Sequence, residues 1–297
     1  MLPSKMIWIL GTVIAIAMGL GIAYFGSMGG IVVAGVPLFA ACVAMSFAIQ
    51  WLVFVPAYAF SSEKFFDLTG SITYISLVLI ALFFAPELTD RDYLIGMLVL
   101  IWAARLGQFL FRRVIKAGED RRFRTMKTDF LQFLMTWSLQ GLWVSITLGA
   151  GLAAISSVEK TPLGWVGWLG AGLWLIGFAI EVVADAQKTT FRAVAEHQER
   201  FIQTGLWAWS RHPNYFGEIL LWFGMALIAL PALSGGQYVT LISPIFVFVL
   251  MTYISGVRML EARADRKWGA DPDYQQYKLR TPVLWMKPPK ATDAALD

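Results

Sequence analysis

The sequence predicts an all-α integral membrane protein, a polytopic helical bundle with about eight transmembrane spans and both termini in the cytoplasm. Of 297 residues, 58% are hydrophobic and 15% are charged, whereas soluble domains have about 25% charged residues. Apolar segments of about 20 residues, the length that crosses a bilayer, recur along the chain. These segments lie near 6–25, 34–59, 68–86, 93–111, 129–151, 163–185, 213–233 and 238–259.

The positions of Lys and Arg indicate the orientation of these spans. With a cytoplasmic N-terminus, the segments expected inside contain 22 of the 24 Lys and Arg residues, and only Arg91 and Lys160 fall outside. This asymmetry follows the positive-inside rule. A seven-span arrangement is disfavoured because it would place the basic segment 105–128 and the C-terminal tail on opposite sides of the membrane.

We expect three regions along the chain. They are N-terminal transmembrane helices on the lipophilic-substrate side (1–90), a membrane core with a cytoplasmic cofactor site (91–287) and a flexible tail (288–297). The sequence has one cysteine and two histidines, so it can form neither an internal disulfide framework nor a multi-histidine metal site. No metal is therefore predicted.

The segment 204–225 carries the most informative motif. Pro213 follows Arg211 and is expected at the first helical position, where free N–H groups and the arginine charge favour an anion. Asn214 and Glu218 are four residues apart and share a helical face, which indicates a polar cavity within an otherwise apolar helix. The alternative is an interfacial arginine with two interhelical hydrogen-bonding residues.

A basic segment forms a second cluster. Arg112, Arg113 and Arg121 lie in a predicted cytoplasmic loop, and Arg105 precedes it inside the fourth span. Arginine side chains match phosphate oxygens in two-point contacts, so this segment is a candidate phosphate clamp. A basic loop that contacts anionic lipid is the structural alternative.

Two further clusters lie at predicted cytoplasmic helix ends. Glu181, Asp185 and Lys188 share one helical face, where the carboxylates suit a ribose hydroxyl pair or an amide. Arg258 and Glu261 share another face, and Tyr274 follows them. A salt-bridged helix end is the structural alternative for the first pattern, and an ion-pair ladder within the helix is a sufficient explanation of the second.

Four ordered motifs carry a resemblance to a known family. They are Gly205-Leu206-Trp207 through Ser210-Arg211-His212-Pro213-Asn214-Tyr215-Phe216-Gly217-Glu218, Glu181-x-x-Ala184-Asp185-x-Gln187, Gly118-Glu119-Asp120 and Ser255-Gly256-x-Arg258-x-x-Glu261. Together they resemble the steroid 5α-reductase superfamily, and in particular its bacterial branch of inner-membrane proteins. The likeness covers roughly residues 100–285. The Arg-His-Pro element alone also occurs in isoprenylcysteine carboxyl methyltransferases.

The resemblance implies a helical membrane enzyme that binds NADPH and reduces a carbon–carbon double bond conjugated to a carbonyl. By position, Asp185 and Asn214 would hold the nicotinamide–ribose or adenosine portions, with Glu218 supporting Asn214. The predicted cofactor-binding residues are Arg105, Arg112, Arg113, Arg121, Glu181, Asp185, Lys188, Arg211, His212, Asn214, Tyr215, Glu218, Arg258, Glu261 and Tyr274.

The chain departs from this family at the group that polarises the substrate carbonyl. Steroid reductases have a Gln-Glu dipeptide in an early span and a Tyr-x-x-Arg element. Here the corresponding positions read Gln50-Trp51 and Trp102-x-x-Arg105. The candidate catalytic residues are therefore Glu63, Asp67 and Tyr74, with Tyr58 also considered.

The predicted function is reduction of a steroid-like or isoprenoid-like molecule that enters from the bilayer of a bacterial inner membrane. A membrane methyltransferase that uses S-adenosylmethionine is the alternative, because a helix N-terminus with acidic neighbours also suits that cofactor. A non-catalytic lipid-binding protein is the third possibility. Membrane lipids are expected partners and nucleic acids are not.

Overall fold

The computed structural model describes residues 4–289 and is built almost entirely of helices. Among the described residues, eight helical stretches are long and apolar enough to cross a membrane, which confirms the predicted fold class and number of spans. The helices are α1 (Ser4–Gly26), α2 (Leu38–Ala59), α3 (Phe66–Phe84), α4 (Asp90–Ala117), α5 (Phe130–Ile155), α6 (Trp165–Ala193), α7 (Pro213–Ala229), α8 (Ser243–Val249), α9 (Val257–Trp268) and α10 (Pro272–Arg280). The predicted flexible tail, 288–297, lies outside the described residues from position 290 onward.

A short hairpin precedes the second span. Strands β1 (Val32–Val33) and β2 (Val36–Pro37) pair antiparallel, with a turn at Ala34 and Gly35 whose φ angles are 49° and 82°. Positive φ at both central residues is the geometry of a tight hairpin turn. Helix α2 therefore begins at Leu38 and not near residue 34, as the hydropathy predicted.

The chain forms two compact units. The first runs to Trp168 and adds Met225–Ser243, and α5 lies at its centre against α1, α2 and α3. In the most apolar 18-residue stretch of α5, 89% of the residues are buried, as expected for a helix that is apolar all round. This division reflects packing, and the functional division proposed at residue 90 stays a prediction.

The two cations outside the predicted cytoplasmic segments are both held by internal bonds of the first unit. Arg91 is 1% exposed, its guanidinium donates to the Pro162 carbonyl at 2.7 Å, and it also contacts the Ile228 carbonyl. Lys160 lies 3.2 Å from the Asp92 carboxylate. Bonds to carbonyls and a carboxylate explain how both charges are accommodated there.

Helix α4 is longer than predicted. The sequence placed Arg112 and Arg113 in a loop, but the helix continues through them to Ala117 and ends at Gly118, whose φ is 81°. Arg and Lys are good helix formers, so the helix extends until a glycine can adopt the left-handed conformation.

The second unit comprises Leu169–Gly224 and the chain from Pro244 onward. The eighth span, predicted as one helix over 238–259, is interrupted in this unit by a π-helix at Leu250–Ile254 and a break at Ser255 and Gly256. The Ser255 N–H donates to the Leu250 carbonyl five residues earlier, at 2.9 Å. The break allows α9 to start in a new direction.

Candidate functional site

Helices α6 and α7 touch backbone to backbone in the second unit. A Cβ atom at Gly217 would lie 2.5 Å from the Gly177 oxygen and 2.7 Å from the Glu181 nitrogen. Seven residues later, a Cβ at Gly224 would lie 2.6 Å from the Gly170 oxygen. Small residues permit such close packing of membrane helices, and here they place the backbone of Glu181 against the first turns of α7.

Three predicted carboxylates gather at this end of the helix pair. Glu181 and Asp185 lie one turn apart on α6 and are 2% and 7% exposed, and Glu218, next to the close contact on α7, is 7% exposed. Charged groups at membrane depth are costly and mark functional sites. The tertiary structure therefore brings together residues that the sequence had placed in two separate motifs.

The loop before α7 is attached to the end of α6. The Trp207 indole N–H donates to the Ala184 carbonyl at 3.0 Å, and the Lys188 ammonium lies 4.3 Å from the centre of the Trp207 ring. The Leu206 N–H donates to the Gln187 side-chain oxygen, also at 3.0 Å. These bonds place the Arg-His-Pro motif beside the carboxylates of α6.

Glu261 on α9 holds both polar residues that precede α7. One of its oxygens lies 2.8 Å from His212 Nε2, and the other contacts the Arg211 guanidinium. Pro213 is the first residue of α7, as predicted. The arginine charge at this helix start is thus partly neutralised within the protein, which weakens the simple expectation of an anion site there.

His212 is deeply buried at this position. Burial lowers the pKa of His212 below its ordinary value, although the neighbouring Glu261 carboxylate acts in the opposite direction. The imidazole stacks on Tyr215 with a centroid distance of 5.7 Å and an interplanar angle of 10°. Asn214, in the same turn, is half-buried.

Gly256 supports this stack from the broken eighth span. A Cβ at Gly256 would lie 2.3 Å from the Met251 carbonyl oxygen and 2.8 Å from the Tyr215 ring, so a larger residue would disturb both the backbone of the broken span and the tyrosine. The Ser255-Gly256 element thus has a packing role.

The remaining predicted residues of this unit lie on α9 and α10. Arg258 is exposed, whereas the Tyr274 hydroxyl donates to Asp265 at 3.0 Å. Burial and this hydrogen bond raise the pKa of Tyr274 above its ordinary value. Its hydroxyl proton is therefore used in an internal hydrogen bond to Asp265.

A strap of the chain, residues 281–287, covers the loop before α7. The Arg211 N–H donates to the Pro282 carbonyl at 2.9 Å, and the Lys287 N–H donates to the Trp209 carbonyl at 3.0 Å. The Ser210 hydroxyl donates to the Leu284 carbonyl at 2.9 Å. Backbone bonds of this kind leave no pattern in the sequence, and the strap was not predicted.

In the first unit, Glu63 is a buried anchor for the basic segment. It is 3% exposed, accepts the Asp120 N–H at 2.9 Å and lies 2.7 Å from the Lys127 ammonium. Burial tends to raise the pKa of Glu63, but these hydrogen bonds lower it below its ordinary value overall. An ionised carboxylate cannot donate a proton, and the predicted catalytic role of Glu63 stays a prediction.

Asp67, in the first turn of α3, also faces the basic segment. Arg113 and Arg122 approach its carboxylate to 3.9 Å and 3.8 Å, and Arg122 forms a shorter ion pair with Asp120 at 2.6 Å. Much of the positive charge in this segment is therefore paired with carboxylates of the same unit.

The other predicted residues of the first unit have varied settings. Tyr74 is buried, with its ring edge-to-face against Trp102 at 5.1 Å. The Arg105 guanidinium lies over the Phe109 ring, and Arg112, Arg113 and Arg121 are exposed. Exposed arginines of this kind are accessible to phosphate or to lipid headgroups.

Sequence reasoning missed several residues that shape these sites. Lys127 lies 64 positions from Glu63, and no sequence pattern near either residue predicts that they pair. The glycines of the α6–α7 contact do have a local sequence signal. Gly170 and Gly177 are seven residues apart on one predicted span, and Gly217 and Gly224 are seven residues apart on another. That period keeps small residues on one helix face.

Comparison with known proteins finds one distant relative of interest. A Schizosaccharomyces pombe protein, titled uncharacterized protein C594.04c, is 22% identical over 164 residues, which cover 46% of this chain and 48% of the yeast protein. The chain thus matches about half the length of that relative. No solved structure matches the chain.

A family model gives the broader relationship. It is described as a protein of unknown function (DUF1295), and it matches residues 53–281, which include every predicted cofactor-binding residue and all three candidate catalytic residues. This family is generally a steroid 5α-reductase-like group. Since the match covers more than half of the chain, the protein belongs to the DUF1295 family, a steroid 5α-reductase-like group of membrane proteins.

Proposed function

We propose that the protein is a membrane-embedded, NADPH-dependent reductase of a carbon–carbon double bond conjugated to a carbonyl in a lipophilic substrate. The observation that carries this proposal is the group of buried carboxylates Glu181, Asp185 and Glu218 beside the Arg211-His212 element. Acidic residues buried at the ends of membrane helices mark functional sites. The likeness of this family to the steroid 5α-reductases supports the choice of a reductase.

The residues of the second unit suit a nucleotide with hydroxyl and amide donors. Asp185 and Asn214 offer acceptors for ribose hydroxyls or a carboxamide, and Glu218 lies one turn after Asn214. Arg258, exposed at the start of α9, is available for a phosphate. The phosphate role expected for Arg112 and Arg121, which are exposed in the first unit, stays a prediction.

Bound NADPH would supply a hydride for the β-carbon of the conjugated double bond. The chain must supply a proton donor for the carbonyl or the α-carbon. Of the three candidates, Tyr74 suits this role best, because a phenol keeps its proton at neutral pH. Glu63 suits it less, because its hydrogen bonds with Lys127 and with the Asp120 N–H lower its pKa and favour the ionised form.

The substrate is proposed to reach the site from the bilayer, in the inner membrane of a bacterium. Eight helical stretches that can cross a membrane are consistent with an apolar co-substrate that never leaves the lipid phase. The orientation proposed from Lys and Arg, with both termini in the cytoplasm, exposes the basic segment to soluble nucleotide.

A methyltransferase is the second candidate because of the same carboxylates. S-adenosylmethionine carries a sulfonium and an ammonium group, and Glu181, Asp185 and Glu218 would complement those positive charges. The two candidates differ in what should bind to purified protein. A lipid-binding protein without activity would bind neither cofactor.

The test measures binding of NADPH, NADH and S-adenosylmethionine to detergent-purified full-length protein and its variants. Wild-type protein should bind NADPH, and Asn214→Ala should bind it about two- to twelvefold more weakly, since a lost hydrogen bond costs about 0.5–1.5 kcal/mol. Gln276→Ala removes an exposed amide on α10 and serves as the control with unchanged affinity.

Two results would contradict the assignment. Binding of S-adenosylmethionine without binding of NADPH would favour the methyltransferase. Unaltered NADPH affinity in Asn214→Ala, with a lower thermal stability of the unliganded protein, would make Asn214 a structural residue.

A further inference from the structure

The two nitrogens of the buried His212 ring have different roles. Nε2 lies 2.8 Å from the Glu261 carboxylate, which also contacts Arg211. A carboxylate only accepts hydrogen bonds, so Nε2 must carry the proton. Burial lowers the pKa of His212, so the ring is neutral at pH 7 and Nδ1 carries a lone pair.

Nδ1 is then a hydrogen-bond acceptor without a donor. His212 is 5% exposed, and its Nδ1 has no hydrogen-bond partner among residues 4–289. Most buried polar atoms in native proteins are satisfied, so each exception requires an explanation. A donor on a bound ligand would satisfy this acceptor.

The ring cannot easily turn to satisfy Nδ1 elsewhere. Glu261 holds one edge, Tyr215 stacks on one face at 5.7 Å, and the His212 N–H donates to the Ser210 hydroxyl at 3.2 Å. Gly256 in turn packs against Tyr215. The acceptor is therefore fixed in place before any ligand binds.

We propose that His212 Nδ1 accepts a hydrogen bond from an O–H or N–H group of the bound cofactor, and that Glu261 is the positioning residue that fixes this tautomer. The inference rests on the proposed function and specifies which part of NADPH His212 meets. That part is a ribose hydroxyl or the carboxamide, and it is not a phosphate, because ionised phosphate oxygens accept hydrogen bonds and do not donate them.

Two substitutions separate the ring nitrogens. Glutamine places its amide near the position of Nε2, so His212→Gln keeps a bond to Glu261 and removes the acceptor at Nδ1. Asparagine is shorter and places its oxygen near the position of Nδ1. NADPH should bind roughly tenfold more weakly to His212→Gln than to wild type, and His212→Asn should retain most of the affinity.

The chain contains a matched control, because it has a second histidine. His197 stacks on Phe191 at 4.3 Å and also has an Nδ1 without a partner among the described residues, but the residue is more exposed than His212. His197→Gln should leave the NADPH dissociation constant unchanged. An equal loss in both variants would show a general effect of removing a histidine and would refute the inference.

A spectroscopic measurement tests the same point with an intact ring and does not depend on how the variants fold. With ¹⁵N-labelled histidine in the His197→Gln protein, one imidazole remains. Its Nδ1 should be the unprotonated nitrogen without ligand, and its resonance should move towards that of a hydrogen-bonded acceptor at saturating NADPH.

The outcomes distinguish the inference from the proposed function. Absence of NADPH binding to wild-type protein would refute the proposed function and the inference with it. Normal NADPH binding with an Nδ1 resonance that is protonated, or that saturating NADPH leaves unchanged, would refute the inference alone. A cofactor analogue with an acetyl group in place of the carboxamide identifies the donor: if His212→Gln still weakens its binding, the donor is a ribose hydroxyl.

Discussion

Gly217 on α7 allows the α6–α7 contact, and its substitution by alanine should separate the two helices. The added Cβ would lie 2.5 Å from the Gly177 oxygen, whereas ordinary contact begins at 3.4 Å. The helices must therefore move apart locally by the difference, about 0.9 Å. Backbone atoms line both sides of the contact, so no side chain can rotate away to relieve it.

The expected cost follows from this separation. A gap of roughly 0.5–1 Å loses about a quarter to a half of the dispersion energy of the affected contacts. Overpacked positions typically lower the free energy of unfolding by about 1–3 kcal/mol. Because the Glu181 backbone nitrogen lies 2.7 Å from the same Cβ position, the buried carboxylates should also shift, and NADPH affinity should fall.

Gly172→Ala on α6 is the matched control. A Cβ at Gly172 would meet no atom within 4 Å, so the substitution should be neutral or should stabilise the helix by up to about 1 kcal/mol. The assay compares the thermal unfolding midpoints of both variants in one detergent, followed by NADPH titration. If Gly217→Ala unfolds at the same temperature as Gly172→Ala and binds NADPH normally, the inferred close backbone contact between α6 and α7 is refuted.

Three further predictions concern other parts of the chain. The lowered pKa of Glu63 means that its ion pair with Lys127 stabilises the fold above the unfolded-state pKa, near 4.3, and that this stability is lost as pH falls through the folded-state value. Glu63→Gln should therefore lower stability at pH 7 by about 1.5–3 kcal/mol and flatten the acid dependence, and an unchanged pH profile would contradict the anchor role. Reporter fusions after Ser157 should be periplasmic, and fusions after Arg121 and at the C-terminus should be cytoplasmic; a C-terminal fusion outside would overturn the proposed orientation. NADPH should bind more tightly than NADH, and Arg112→Gln should reduce that preference, whereas equal affinities for both would leave the basic segment as a lipid contact.

The sequence by itself determined the fold class, the number of spans and the Pro213 start of α7. These properties depend on the length of apolar segments and on residues that are adjacent in the chain. The same local information located the polar motifs at helix ends. It could not show that the eighth span breaks at Ser255, since mean hydropathy is insensitive to a five-residue π-helix.

The sequence also could not show which cations the candidate catalytic carboxylates meet. Glu63 and Asp67 were chosen as acid candidates, yet both face cations of the basic segment, and Lys127 is 64 residues away from Glu63. Likewise, Glu261 was predicted as a cofactor-binding residue that shares a face of its own helix with Arg258, and the structure pairs it with Arg211 and His212, about 50 positions earlier. Such pairings arise when distant helices pack together, and only the tertiary structure decides them, because the charge, burial and protonation of each group depend on neighbours that are remote in the chain.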